Sequence, residues 1–241
     1  MQKAIGNVKS LLGEKPAILA QRWFEWAGTI SRSNRVFQRI ASAKDKEQIA
    51  DSLGEIRYAL IFAGLGFDVE FEPTGDQGPD LMVRRDNIEI VVEVKRFRKT
   101  NPDLPTLNLD DEELTLPEYG NIPRDVRKTF DKILTKFRQV ENQRGVIAIW
   151  NDDEELEEIE VGLAVKDIRS DFKNGLLTIP DDLLFVLYGS KWELDNKQLY
   201  CFPFHDIEQP FETWKIELEE LTALEHIERA FTICNTIGEI K

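Results

Sequence analysis

Glu93-Val94-Lys95 closes the apolar strand in the stretch GPDLMVRRDNIEIVVEVKRFR, residues 78–98, and Asp80 stands near its start. Residues two apart in a strand share a side, so Glu93 and Lys95 project together while Ile90, Val92 and Val94 project the other way. If the segments that begin at Asp80 and end at Lys95 pair as a hairpin, Asp80 lies beside Glu93. Two carboxylates that close repel, and a hard divalent cation with oxygen ligands relieves the repulsion. An ammonium beside such an ion can orient or help deprotonate an attacking water. The plain alternative for Glu93 and Lys95 is an exposed ion pair worth at most about 1 kcal/mol. VVEVK argues against it, because an apolar run of this kind suggests a central strand covered on both faces. Asp80 alone would pass for a turn residue after Gly78-Pro79; the company of Glu93 turns it into a ligand candidate. Asp76, in the same loop, ranks below it.

The elements around these residues must position them. DKEQIADSLGEIRYALIFAGLG predicts a helix with Ile49, Leu53, Ile56 and Leu60 on one stripe and Gly64 and Gly66 as stop signals. Glu55 lies in line with Ala59 and Phe62, on a partly apolar side where a carboxylate should be paired, coordinated or protonated. The pattern then switches to period two: FDVEFE, DLMVRR and NIEIVVEVKRF read as strands, with Asp86-Asn87 as the turn between the last two. Residues 100–123 hold four prolines and many acids and read as a long surface loop. An amphipathic helix from Arg124, a buried strand GVIAIW, a helix through DEELEEIEVGLAVKDIRSDF, strands LLFVLYG and QLYCFPF, and a C-terminal helix over about 218–237 complete the expectation.

Composition and charge limit the function classes. With 241 residues, 41% hydrophobic and 32% charged, the chain is expected to fold as one domain. No apolar run is long enough to cross a bilayer, and two cysteines make no disulfide framework, so no membrane and a cytoplasmic location are expected. The formal charge is −14, but residues 1–150 balance 23 basic against 23 acidic residues, while residues 151–241 carry 8 against 22. A polyanion would therefore approach the first two thirds. There, Arg96, Arg98 and Lys99 extend the basic run beyond Lys95 and suit phosphates that flank a reacting bond.

The order of Glu55 on a leading helix, Pro79-Asp80 at a hairpin, then Glu93-Val94-Lys95, resembles the PD-(D/E)XK nuclease superfamily over roughly residues 47–150. The resemblance implies an α/β, restriction-endonuclease-like mixed central sheet flanked by helices, here with an N-terminal helical segment and a C-terminal helix. Residues 1–46 would be a helical extension, 47–150 the nuclease-like core, and 151–241 an acidic part that completes or decorates it. It further implies that Asp80, Glu93 and the Val94 carbonyl bind Mg²⁺ or Mn²⁺, that Glu55 is an accessory acid, and that Lys95 positions the water. The chemistry would be in-line hydrolysis of a phosphodiester, with DNA favoured over RNA. Relatives often add a glutamine or lysine from the helix after the lysine strand; Lys136, Gln139 and Gln143 are the candidates, and the choice stays open. The rival expectation is a catalytically idle protein of the same fold that binds a partner, a basic protein or a nucleic acid, through its acidic C-terminal third. A homodimer is compatible with either.

Overall fold

Asp45 starts the helix on which the site rests. Its Oδ1 accepts the Gln48 main-chain N–H at 2.9 Å, and the Gln48 side-chain oxygen accepts the Lys44 N–H at 2.9 Å. Two donors that no helical carbonyl can reach are thereby satisfied. The helix, α4, runs over Lys46–Gly64. It stops at Gly66, whose φ of 83° suits glycine, with the Phe67 N–H reaching back to the Phe62 carbonyl and the Gly66 N–H to Ala63, both at 3.0 Å. The computed structural model describes residues 1–64, 66–75, 78–97, 127, 144–151, 158–190 and 200–204. The expected loop at 100–123, the expected C-terminal helix and all of the expected 124–142 helix except Arg127 lie outside those residues.

Three helices precede α4: α1 (Gln2–Leu12), α2 (Glu14–Ala27) and α3 (Ser33–Ser42). The strands follow as β1 (Asp68–Phe71), β2 (Leu81–Arg85), β3 (Ile88–Phe97) and β4 (Gly145–Asn151). Helix α5 (Glu158–Lys173), β5 (Leu183–Ser190) and β6 (Tyr200–Pro203) complete the described elements. All six strands form one mixed sheet in sequence order. β1, β2 and β3 are antiparallel neighbours, β4 and β5 continue in parallel, and β6 returns antiparallel at the edge. Asp86-Asn87 forms the two-residue β2–β3 turn, closed by the pair Arg85–Ile88, with Asp86 at φ 54°. The expected mixed sheet between helices is present, and β3, with neighbours on both sides, is central to it.

Strand parity sends alternate residues to two apolar layers. Ile90, Val92 and Val94 join a core with residues of α1–α4, including Val8, Trp23, Phe37, Ile40, Ile56 and Phe62. Val91 joins the other layer with Ile147, Ile149 and the Val161, Ala164, Val165 and Ile168 side of α5. The N-terminal helices thus share one core with α4 and the sheet. Each large aliphatic or aromatic side chain buried there contributes about 1.5–3 kcal/mol. α4 is bound to the sheet by polar contacts too: the Tyr58 hydroxyl donates to the Ile149 carbonyl at 2.5 Å, and the buried Arg57 guanidinium lies 2.9 Å from the centre of the Trp150 ring. Of the tryptophans, Trp23 and Trp150 are buried, and Trp26 is exposed. No described helix is long and apolar enough to cross a membrane.

Candidate active site

The β2–β3 register fixes the first contact. Leu81 pairs with Val92 as the last pair of the register, and Asp80 stands one residue beyond it, close enough to Glu93 to feel its charge. The Glu72 N–H donates to the Asp80 carbonyl at 2.8 Å, which continues the β1–β2 ladder and holds the Asp80 backbone in line. The Asp80 Oδ2 accepts the Val94 main-chain N–H at 2.8 Å. Glu93 is 4% exposed, and its Oε1 pairs with Lys95 Nζ at 2.8 Å. Asp80, Glu93 and Lys95 therefore meet at the end of the hairpin. Burial and the Glu93 charge push the Asp80 carboxyl up to about 6, against the opposing effects of Lys95, the Val94 N–H and Arg39.

Glu55 is also buried, on the α4 side of the sheet, and a second charge cluster surrounds it. Arg39 of α3 grips it with both terminal nitrogens, Nη1 to Oε1 at 2.9 Å and Nη2 to Oε2. Arg39 Nε lies 3.0 Å from Glu72 Oε1, and Arg35 Nη1 lies 3.4 Å from Glu72 Oε2. Two buried carboxylates are thus interleaved with two arginines, the bidentate fork being the geometry guanidinium favours. Burial and then the Asp80 charge push Glu55 up to about 8, with Arg39 opposing and Glu72 adding to the rise. Burial works against the Arg39 charge, yet Glu55, Glu72 and Asp80 together hold its pKa above the ordinary value. Asp80 links the two clusters, because it feels Glu93 and Lys95 on one side and acts on Glu55 and Arg39 on the other.

Sequence reasoning missed Arg39, Arg35 and Glu72. A signal was present: Arg32, Arg35 and Arg39 recur at helical spacing in SRSNRVFQRI, while Glu70 and Glu72 alternate along FDVEFE. The two rows meet, since Arg32 Nε also pairs with Glu70 Oε1 at 2.9 Å and Arg32 Nη1 donates to the Glu72 and Pro73 carbonyls at 2.9 and 2.6 Å. Arg96, expected to face phosphates, instead pairs with Glu47 at 2.6 Å and lies 3.8 Å from Asp51, so it ties β3 to α4. Arg98, Lys99, Lys136, Gln139, Gln143 and Asp76 lie outside the described residues.

Among the described residues, no group of three or more His, Cys, Asp and Glu side chains is placed to hold a metal ion. Asp80 and Glu93 still supply the kind of donors Mg²⁺ takes, since that ion is commonly held by one or two carboxylates and completes its shell with water and substrate phosphate. Burial, and after it the Glu93 charge, disfavours the Asp80 carboxylate, and a cation held by the two acids would offset both effects. No protein-family model, curated protein or solved structure matches the chain.

Proposed function

We propose that the chain is a divalent-metal-dependent nuclease with a restriction-endonuclease-like fold, acting on DNA in preference to RNA. The observation that carries this reading is the Asp80 carboxylate tied to the middle of the Glu93-Val94-Lys95 triplet by the Val94 N–H, with the Lys95 ammonium paired to Glu93 alongside. The order of α4, the antiparallel β1–β3 unit and the parallel β4 supports it as well. Asp80, Glu93 and the Val94 carbonyl would hold Mg²⁺ or Mn²⁺. The ion supplies positive charge for the phosphoryl oxygens as the phosphodiester is broken.

The chain's own residues do the rest. Asp80, near half-ionised at pH 6, is mostly a carboxylate at neutral pH and available as a donor. The Lys95 ammonium, paired with Glu93, would orient a water or a phosphate oxygen beside that pair. Glu55, held in the Arg39 fork, serves as a positioning group behind Asp80, whose charge helps push the Glu55 carboxyl up.

Purified protein should nick supercoiled plasmid with Mg²⁺ or Mn²⁺ and stop with chelator. Asp80→Ala and Lys95→Ala should each lose at least about a hundredfold in rate. Cleavage that survives both substitutions would remove this function from the chain. A second reading draws on the charge pairing: Arg39 already neutralises Glu55, and Lys95 already neutralises Glu93. In that reading the fold is idle as a catalyst and binds a basic partner through the acidic 151–241 part. Absence of cleavage on any DNA or RNA, with a stable complex to a basic protein, would select it.

A further inference from the structure

Over residues 166–173, helix α5 carries its acids and its bases on separate flanks. At about 100° per residue, Val161, Ala164 and Ile168 form the side packed on the sheet. Asp167 and Asp171 fall to one flank of that side, and Asp171 is ion-paired with Arg127. Lys166, Arg169 and Lys173 fall to the other flank, which faces the edge strand β6. Between them and β6 lies a groove of about 420 Å³, lined also by Gly162, Ser170 and Phe202. Three of the eight basic residues in the acidic 151–241 part therefore line one groove.

We propose that this groove binds a nucleic-acid strand, three strands removed from the Asp80–Glu93 pair. The cations at 166, 169 and 173 span about 10 Å along the helix, enough to meet successive phosphates rather than one. Phe202 gives the groove an aromatic face beside those cations. Its ring lies against α5 at a glycine: a Cβ on Gly162 would come within 3.0 Å of Phe202 Cε1. A row of cations beside an aromatic ring suits a strand that offers both phosphates and bases. The three cations stand on the flank of α5 away from Asp167 and Asp171, which gives the groove local positive charge within a chain of net −14.

The test is fluorescence anisotropy of a labelled single-stranded oligonucleotide, with chelator present so that cleavage plays no part. The whole chain carrying Lys166→Gln, Arg169→Gln and Lys173→Gln, shown to be folded by its melting curve, should bind at least about tenfold more weakly at low salt. Its slope of log K against log salt should shrink by about 2, at roughly 0.7 for each phosphate contact on a single strand. Phe202→Leu should weaken binding by about 5- to 100-fold with the slope unchanged. Wild-type affinity and slope in the triple variant would overturn the proposal. So would displacement of the oligonucleotide by polyglutamate at equal charge concentration, since that would make the groove a site for acidic peptides.

Discussion

The Asp80 carboxylate accepts the main-chain N–H of Val94 at 2.8 Å, a bond from the residue before β2 to the centre of the Glu93-Val94-Lys95 triplet. The bond holds one acid against another that repels it. Asp80→Asn keeps an oxygen that can accept the same N–H while removing the charge. Without divalent ions and at pH 7.5, this variant should be more stable than the wild type, by on the order of 1–3 kcal/mol. Millimolar Mn²⁺ should raise the wild-type melting temperature, because a ligand of the folded state stabilises it by mass action. The Asn variant should gain little. Equal Mn²⁺ gains in both proteins would remove Asp80 from the metal site.

Glu55 gives stability a pH dependence of defined sign. Folded, its carboxyl titrates at about 8; its ordinary value is 4.5. Between those values the folded chain holds a proton that the unfolded chain has lost, so stability falls as pH rises through the window. Asp80 adds the same sign between 3.8 and about 6. Urea denaturation at pH 5 and pH 8 should show wild type weaker at pH 8. Glu55→Gln should reduce that difference by on the order of a few kcal/mol. An unchanged difference would mean that Glu55 stays ionised in its Arg39 clamp across the whole range.

The sheet and the hairpin site were legible because they rest on period-two alternation and on strand parity. Ile90, Val92 and Val94 sort to one layer and Glu93 and Lys95 to the other from spacing alone, and Gly66 and Asp86-Asn87 mark the turns by their backbone demands. The Arg39–Glu55 clamp was not legible in that way. It joins residues 16 apart on two different helices, and spacing along a chain does not say which helix faces cross. Arg96 shows the same limit. Its place in KRFRK suggests phosphates, but its parity turns it toward Glu47 and Asp51 of α4, whose positions only packing determines.

Arg96 therefore yields a discriminating substitution. It is partly buried and holds the first turns of α4 to β3, so Arg96→Gln should cost about 1 kcal/mol of stability, the scale of a partly screened ion pair. Oligonucleotide affinity and its salt slope should stay at wild-type values, since the guanidinium faces α4. A slope lowered by close to one contact would place Arg96 on the phosphates after all.

Gly54 tests how closely α4 must approach the triplet. It lies in the interior of the helix, one residue before Glu55, where glycine costs up to about 1 kcal/mol relative to alanine. A Cβ there would meet only Val94 Cγ1, at 3.9 Å, an ordinary contact. Gly54→Ala should therefore raise stability by about 0.5–1 kcal/mol and leave the site intact. Gly54→Leu is expected to behave differently: its extra carbons have no space against Val94 and would push the helix from β3, at a cost of about 1–3 kcal/mol. That displacement would move Glu55 relative to Asp80, so the Leu variant should also shift the pH at which stability changes. A Leu variant as stable as the Ala variant, with an unaltered pH profile, would show that α4 and β3 are not in close contact at this point.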